Sequence, residues 1–216
     1  MGVDNHPETM QDKKVKNDPA YNTKEIMGYC YRITNPWKSL NDWNKYFNVN
    51  EDYLVQEILD RTLDVPTNPG KAYLIRKEVW EPFLHEGKFS YTYGERISYQ
   101  LKEVIHQLRH NPGTRQAVMT VYEGLQDSTK LGGKARIPCS MYYQFLRRKE
   151  QGVDKLNMIY TMRSCDFYTH FPYDVALTIY IQRVVAQQLQ IEEGFFQHFM
   201  GSLHAYAKDY QTKGVF

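Results

Sequence analysis

Cys139 follows Pro138 and precedes an aromatic-rich run, Ser140 to Leu146. A thiolate is the strongest common side-chain nucleophile, and it needs positive charge nearby to hold its pKa down. Arg136 is close in sequence, and Arg163 lies on the strand expected to neighbour this one. A free cysteine is also at home as a small buried hydrophobe, so both roles stand open. Arg163-Ser164 at a strand end can grip a phosphate through a guanidinium fork and a hydroxyl, or can be a solvated loop. Asp174 stands just before a long apolar helical stretch, where Asp serves as a cap or first-turn residue unless it faces a pocket. His204 and Tyr206 are two apart, so an extended backbone puts both on one face. There they can hold a sugar hydroxyl or pack as a satisfied core pair. Arg115, after Asn111-Pro112-Gly113-Thr114, reads alone as ordinary surface. Glu57, between Val55 and Ile58, is a tuned acid/base or a solvated helix face.

The elements that must position these groups are partly readable. Leu101, Val104, Ile105 and Leu108 form an i, i+3, i+4, i+7 stripe that Asn111-Pro112-Gly113 ends. Leu177, Ile181, Val184, Val185 and Leu189 form a longer stripe ending before Gly194. Strands are expected over Gln116–Tyr122, Ser140–Leu146 and Leu156–Met162, with Arg147–Lys155 as a hairpin loop. Leu156, Met158, Tyr160 and Met162 share one face of the last of these. Helices mixed with strands and at least one hairpin favour an α/β (α+β) fold.

The chain has 216 residues, 42% of them hydrophobic and 14% aromatic, enough for one core. Met1 to Ala20 is polar and aperiodic, so a flexible lead-in is expected at 1–20 and a single domain over 21–216. A net charge of +2 is too small for a dedicated nucleic-acid binder. Three cysteines without a C-x-x-C pair build neither a zinc site nor a disulfide framework. With no secretory h-region and no apolar run of about 18 residues, a cytoplasmic protein with no membrane partner is expected.

The order of the motifs is more specific than any one of them. Asn-Pro-x-x-Arg, Pro-Cys-x-x-x-x-Gln-Phe, Arg-Ser-Cys-Asp, Phe-Pro-Tyr-Asp and Gly-x-x-His-x-Tyr follow one another from Asn111 to Tyr206. This series resembles the thymidylate synthase superfamily, from about Tyr53 to Tyr210. The resemblance implies a three-layer fold on a large curved mixed sheet, with two sheets back to back in a homodimer. It implies that Cys139 adds to C6 of a pyrimidine nucleotide and that C5 then attacks 5,10-methylenetetrahydrofolate, with no metal. By the same resemblance Arg163 and Ser164 bind the phosphate, and Arg115 reaches the phosphate site of the partner subunit. Tyr93 and Glu57 match an active-site tyrosine and the glutamate that organises water and protons. Asp166 matches an aspartate near the folate pterin, and His204 and Tyr206 match the pair that holds the sugar 3′-hydroxyl.

The departures point to one branch. Pro172-Tyr173-Asp174 stands where synthases have Pro-Phe-Asn. An Asn amide suits uracil, whereas a carboxylate accepts from both the cytosine amino group and a protonated N3. A buried donor facing a donor costs about 1–3 kcal/mol per unpaired group. Gly201-Ser202-Leu203-His204 and Ser140 after the cysteine likewise resemble the deoxycytidylate hydroxymethylases, in which water captures the C5 methylene. The sequence ends ten residues after Tyr206, which favours water over hydride as the capturing partner. Arg115 and Ser164 follow the deoxy pattern, favouring dCMP over CMP. The alternatives are a CMP hydroxymethylase, a divergent thymidylate synthase acting on dUMP, and a nucleotide-binding homologue without turnover.

Overall fold

The structure is a computed structural model describing residues 2–11, 13–130 and 136–213. Three short strands come first: β1 (Val3–Asn5), β2 (Thr9–Met10) and β3 (Lys13–Lys14). The long β4 (Thr23–Ile33) leads into α1 (Pro36–Tyr46) and α2 (Glu51–Thr62), then a short α3 (Lys77–Trp80) and α4 (Tyr93–His110). β5 (Val118–Thr120) and α5 (Gly124–Asp127) precede the hairpin of β6 (Ser140–Glu150) and β7 (Val153–Met162). β8 (Cys165–Asp166), α6 (Phe171–Leu189), β9 (Glu192–Tyr206) and α7 (Ala207–Lys213) complete the described chain.

Among the described residues the main sheet has seven strands in the order β1-β4-β9-β7-β6-β5, with β8 alongside β9. It is mixed, as expected: β7 and β8 run parallel to β9, and the other pairs are antiparallel. The parallel β7–β9 pair is bridged by α6, the long crossover that parallel neighbours require. One sheet face is sealed. Phe145 on β6, Leu156, Met158 and Tyr160 on β7, and Phe196 and Met200 on β9 are all fully buried. The period-2 face read from Leu156 to Met162 is therefore the core face.

Local chemistry explains the helices. Thr92 caps α4 in a capping box with Glu95, and the helix stops at Asn111. Its stripe residues Leu101, Val104 and Leu108 are buried, with Ile105 packed at the core margin. α6 is apolar on most of its surface because it lies between the sheet strands β7 and β9 and helices α1, α2 and α4.

Three sequence expectations need correction. β6 and β7 extend through the expected loop at 147–155, and the turn is only Gln151-Gly152. Both turn residues have positive φ (50° and 85°), the pair of conformations that matches hairpin twist. The strand expected over 116–122 shrinks to Val118–Thr120. The segment expected to be a flexible lead-in is built into the structure. β1 pairs with β4, β2 pairs with β3, and Val15 is buried. Strands of two or three mostly polar residues carry no periodicity that a sequence window can detect.

Candidate active site

Cys139 sits immediately before β6, on a loop that Arg163 ties down. The Arg163 guanidinium donates from Nε to the Pro138 carbonyl (2.9 Å) and from Nη2 to the Ile137 carbonyl (2.9 Å). Nη2 also reaches the Cys139 sulfur at 3.8 Å, and the Arg163 backbone N–H donates to the Cys139 carbonyl at 2.9 Å. Among the described residues Nη1 is left without a hydrogen bond. The end of β7 is placed by Gly201, whose absent Cβ would lie 2.9 Å from the Arg163 carbonyl. That close approach lets the Ser202 N–H donate to the same carbonyl (3.1 Å). Burial pushes the Cys139 thiol up, with Asp174 adding to the rise, while Arg163, Arg136 and a Gln11 hydrogen bond pull it down.

The cleft over Cys139 has a volume of about 590 Å³, within the range of small-molecule sites. It brings together nine of the residues singled out in the sequence: Glu57, Tyr93, Cys139, Arg163, Ser164, Asp166, Asp174, His204 and Tyr206. Asp174 does occupy the first turn of α6, but capping is not its task. Its carboxylate turns into the cleft, where the Cys165 thiol donates to Oδ2 at 3.8 Å. Burial raises its pKa to about 7, against the pull of Arg61 and Arg76.

Glu57 is not a solvated face residue. It pairs with Arg61 Nε at 2.8 Å, and both side chains are largely buried. Arg61 lies over the Tyr93 ring, 4.4 Å from its centroid. The Tyr93 hydroxyl pairs with the Ser140 hydroxyl (3.0 Å), which also contacts the Tyr160 hydroxyl. Glu57, Arg61, Tyr93, Ser140 and Tyr160 thus form one polar chain from α2 to the sheet. Behind it Tyr160 stacks on Tyr143 (4.5 Å) and on His198 (4.8 Å). Burial holds His198 down to about 3, so it is a neutral ring at physiological pH.

At the other wall, His204 and Tyr206 share the cleft face of β9, their rings edge-on at 5.2 Å. Burial lowers the His204 pKa, opposed by Asp166, and a neutral imidazole suits a hydroxyl partner. Asp166 Oδ1 accepts from the backbone N–H of Tyr168 (3.1 Å) and Thr169 (3.3 Å), which fixes the turn into α6.

Arg115 does not join this group. It is exposed, and its carbonyl accepts from Gln144 Nε2 (3.0 Å). Conversely, sequence reasoning missed several cleft residues. Arg61 and Arg76 reach in from α2 and the turn before α3, and Arg76 lies over the Tyr173 ring at 4.0 Å. In the sequence Arg136 reads only as a charge near the thiol. It lies 5.0–5.6 Å from the centroids of Trp80, Phe83, Phe89 and Tyr91, and its buried Nε has no partner among the described residues. Gln11 lies in a polar, aperiodic stretch and carries no sequence signal of its own. The density of Trp, Phe and Tyr from Trp80 to Tyr93 was the available signal for the aromatic wall.

Fold and site together define a mixed α+β protein with an arginine-clamped thiol in a deep, aromatic-walled cleft. The sequence model of the thymidylate synthase family matches residues 13–213, and the chain belongs to that family. It is 32% identical over 112 residues to thymidylate synthase of Saccharomyces cerevisiae, covering 50% of this chain and 36% of the yeast protein. It is 29% identical over 140 residues to thymidylate synthase of Buchnera aphidicola, covering 59% of this chain and 50% of that protein. The chain therefore spans half or less of the length of these relatives. Thermostable thymidylate synthase A from Bacillus subtilis superposes with a TM-score of 0.66 at 19% identity, covering 89% of this chain and 69% of that one. That likeness establishes the fold. Among the described residues no helix is long and apolar enough to cross a membrane.

Proposed function

We propose that this protein is a deoxycytidylate 5-hydroxymethylase, making 5-hydroxymethyl-dCMP from dCMP, methylenetetrahydrofolate and water. The observation that carries the reading is Asp174, a buried cleft carboxyl with a pKa of about 7. In its protonated form it donates to cytosine N3 and accepts from the amino group. When the Cys139 thiolate adds to C6, the Asp174 proton passes to N3, leaving C5 electron-rich. Arg163 stabilises the thiolate, and its Nη1 with the Ser164 hydroxyl receives the phosphate. His204 and Tyr206 hold the sugar. Glu57, set by Arg61, moves protons to and from water near C5 and the exocyclic carbon. C5 gives up its hydrogen as a proton after taking the one-carbon unit, tetrahydrofolate leaves, and water adds at the exocyclic carbon. Expulsion of the Cys139 sulfur from C6 then restores the ring as N3 returns its proton to Asp174.

The cleft fits the co-substrate on one observation. Its lining includes Trp80, Phe83, Phe89 and Tyr91 around the cation of Arg136, a surface suited to a planar anionic molecule. Those rings and Asp166 would hold the folate, which supplies the one-carbon unit when bound.

A second reading, a thymidylate synthase acting on dUMP, is favoured by the printed names of the relatives. Mass analysis after parallel incubation with dCMP, CMP and dUMP decides between them. The expected result is gain of CH2O on dCMP; gain of CH2 on dUMP alone overturns the hydroxymethylase reading. The same gain on CMP in preference to dCMP reassigns the sugar. Binding of nucleotide without any mass gain identifies an inactive homologue.

We further propose that two copies associate through the sheet, with Arg115 of each reaching the phosphate site of the other. The exposure of Cys30 and Phe199, cross-strand partners on β4 and β9, supports a covered outer sheet face. Mixing inactive Cys139→Ala with inactive Arg115→Ala should restore up to about a quarter of wild-type activity, because one heterodimer site is intact. Absence of any recovery from two individually folded variants would remove Arg115 from the partner's site.

A further inference from the structure

The N-terminal hairpin lies against the nucleophile. Gln11, at the turn between β2 and β3, donates from Nε2 to the Cys139 sulfur at 3.6 Å. Its other amide atom, Oε1, accepts the Ile137 N–H at 3.1 Å. One side chain thus bridges the loop that carries Cys139, holding both the sulfur and the backbone two residues before it. Asn5, Pro7, Thr9, Met10 and Lys13 line the cleft beside it. The hairpin is anchored by β1 pairing with β4, by the buried Val15 and by Lys13 over the Phe83 ring (4.9 Å).

We propose that this hairpin is a working wall of the active site and that Gln11 is a positioning residue. It aims the Cys139 sulfur and, together with Arg163, supplies the donors that hold it as a thiolate. The inference rests on Cys139 as the nucleophile but not on the choice of nucleotide. An amide is a neutral donor, so it steadies the anion without competing with a substrate phosphate for charge. The sulfur keeps lone pairs free for C6, because each donor occupies a single direction.

Titratable and charged groups facing Cys139 come from every neighbouring element. They are Arg163 at the end of β7, Arg136 on the loop, Asp174 on α6, Tyr91 and Tyr93 at the start of α4, Cys165 on β8 and Tyr206 on β9. Burial raises the Cys139 pKa and the Gln11 hydrogen bond lowers it. Loss of the donor and mere loosening of the hairpin therefore have opposite signs. Removing the donor raises the thiol pKa, whereas admitting water to an opened loop lowers it.

The test is the pH dependence of Cys139 alkylation by iodoacetamide, read by peptide mass analysis on the whole protein without nucleotide or folate. A short cysteine-containing peptide added to the same sample is the reference for an unperturbed thiol. Gln11→Ala and the length-matched Gln11→Met should each move the Cys139 midpoint up by about half a unit to one unit, as loss of one hydrogen bond to an anion would. Gln11→Glu should move it further, since a carboxylate repels the thiolate. A midpoint that stays put or falls in both Gln11→Ala and Gln11→Met overturns the assignment. Product analysis with dCMP, CMP and dUMP is a separate experiment, so failure of the substrate reading and failure of this one are distinguishable.

Discussion

Replacing Cys139 by alanine should abolish exchange of the C5 hydrogen of dCMP with solvent, a loss of at least about four orders of magnitude. Exchange is the more informative readout because it reports addition at C6 alone, before any carbon transfer. If the thiolate forms the bond that makes C5 electron-rich, exchange and product must vanish together. Cys139→Ser should be nearly as inactive, since a hydroxyl held at the same place ionises far less readily than a thiol. The geometry gives the reason to expect so large an effect. The sulfur sits on a loop whose Ile137 and Pro138 carbonyls are bound by Arg163, and the same guanidinium reaches the sulfur. No other cleft nucleophile is placed this way among the described residues. Cys165 is buried beside Asp174, and burial with that carboxylate pushes its thiol well up, so it cannot substitute. Proton NMR of dCMP in deuterated buffer with wild type and variant would measure the loss. Exchange within about tenfold of wild type would remove Cys139 from the first step.

How much of this was legible before the structure depends on the range of the signal. Groups carried by strongly periodic elements were placed well. His204 and Tyr206 share a face because β9 is extended there, and the α4 stripe stops at Asn111 because Pro112 and Gly113 follow. The cleft brings together sequence-distant motifs because their order matches a family pattern, which carries three-dimensional information that local periodicity does not. What was missed came through contacts with no local signature. Arg61 looks like any helix-surface arginine until Glu57 and the Tyr93 ring are found against it. Arg136 gains significance only when four aromatic rings from another segment surround it. Gln11 is a polar residue in a polar stretch, and nothing in residues 1–20 signals pairing with a sheet edge or contact with a sulfur 128 positions away. The overextended loop at 147–155 has a related cause. Arg147, Arg148 and Lys155 look like loop residues, yet β6 and β7 keep pairing through them because their charged heads reach solvent or partners such as Asp154.

Asp174→Asn should reverse the base preference and, separately, stabilise the protein at alkaline pH. An amide can turn to donate to unprotonated N3 and accept from the amino group, so it can bind cytosine, but it has no proton to pass to N3 when the thiolate adds to C6. Loss of a positioned general acid typically costs about 10²–10⁴-fold, so turnover of dCMP should fall by roughly two to four orders of magnitude. Uracil, with O4 as acceptor and N3–H as donor, suits the amide, so dUMP should gain relative to dCMP. If the ratio of the two does not move, Asp174 does not read the base. The stability effect follows from burial. Asp174 titrates at about 7 in the folded protein, against 3.8 for a free side chain. Between those values the unfolded chain releases a proton that the native state keeps, so stability falls as pH rises through this window. Above pH 7 the full cost is present, at most about 4 kcal/mol by the three-unit difference. Asparagine does not titrate, so the variant should melt higher than wild type at pH 8, by up to roughly 10 °C for a chain of this size, with the gap closing toward pH 4. A pH-independent gap would mean that the carboxyl is not held protonated by burial. The two effects have one origin. On the proposed mechanism, the carboxyl that destabilises the empty fold near neutral pH also holds the proton passed to N3 when the thiolate attacks. The neutral acid also favours the Cys139 thiolate, since an ionised Asp174 raises the thiol's pKa. A protonated acid beside an ionised thiol is the pairing the addition requires, and burying both groups in one cleft favours it over two like charges.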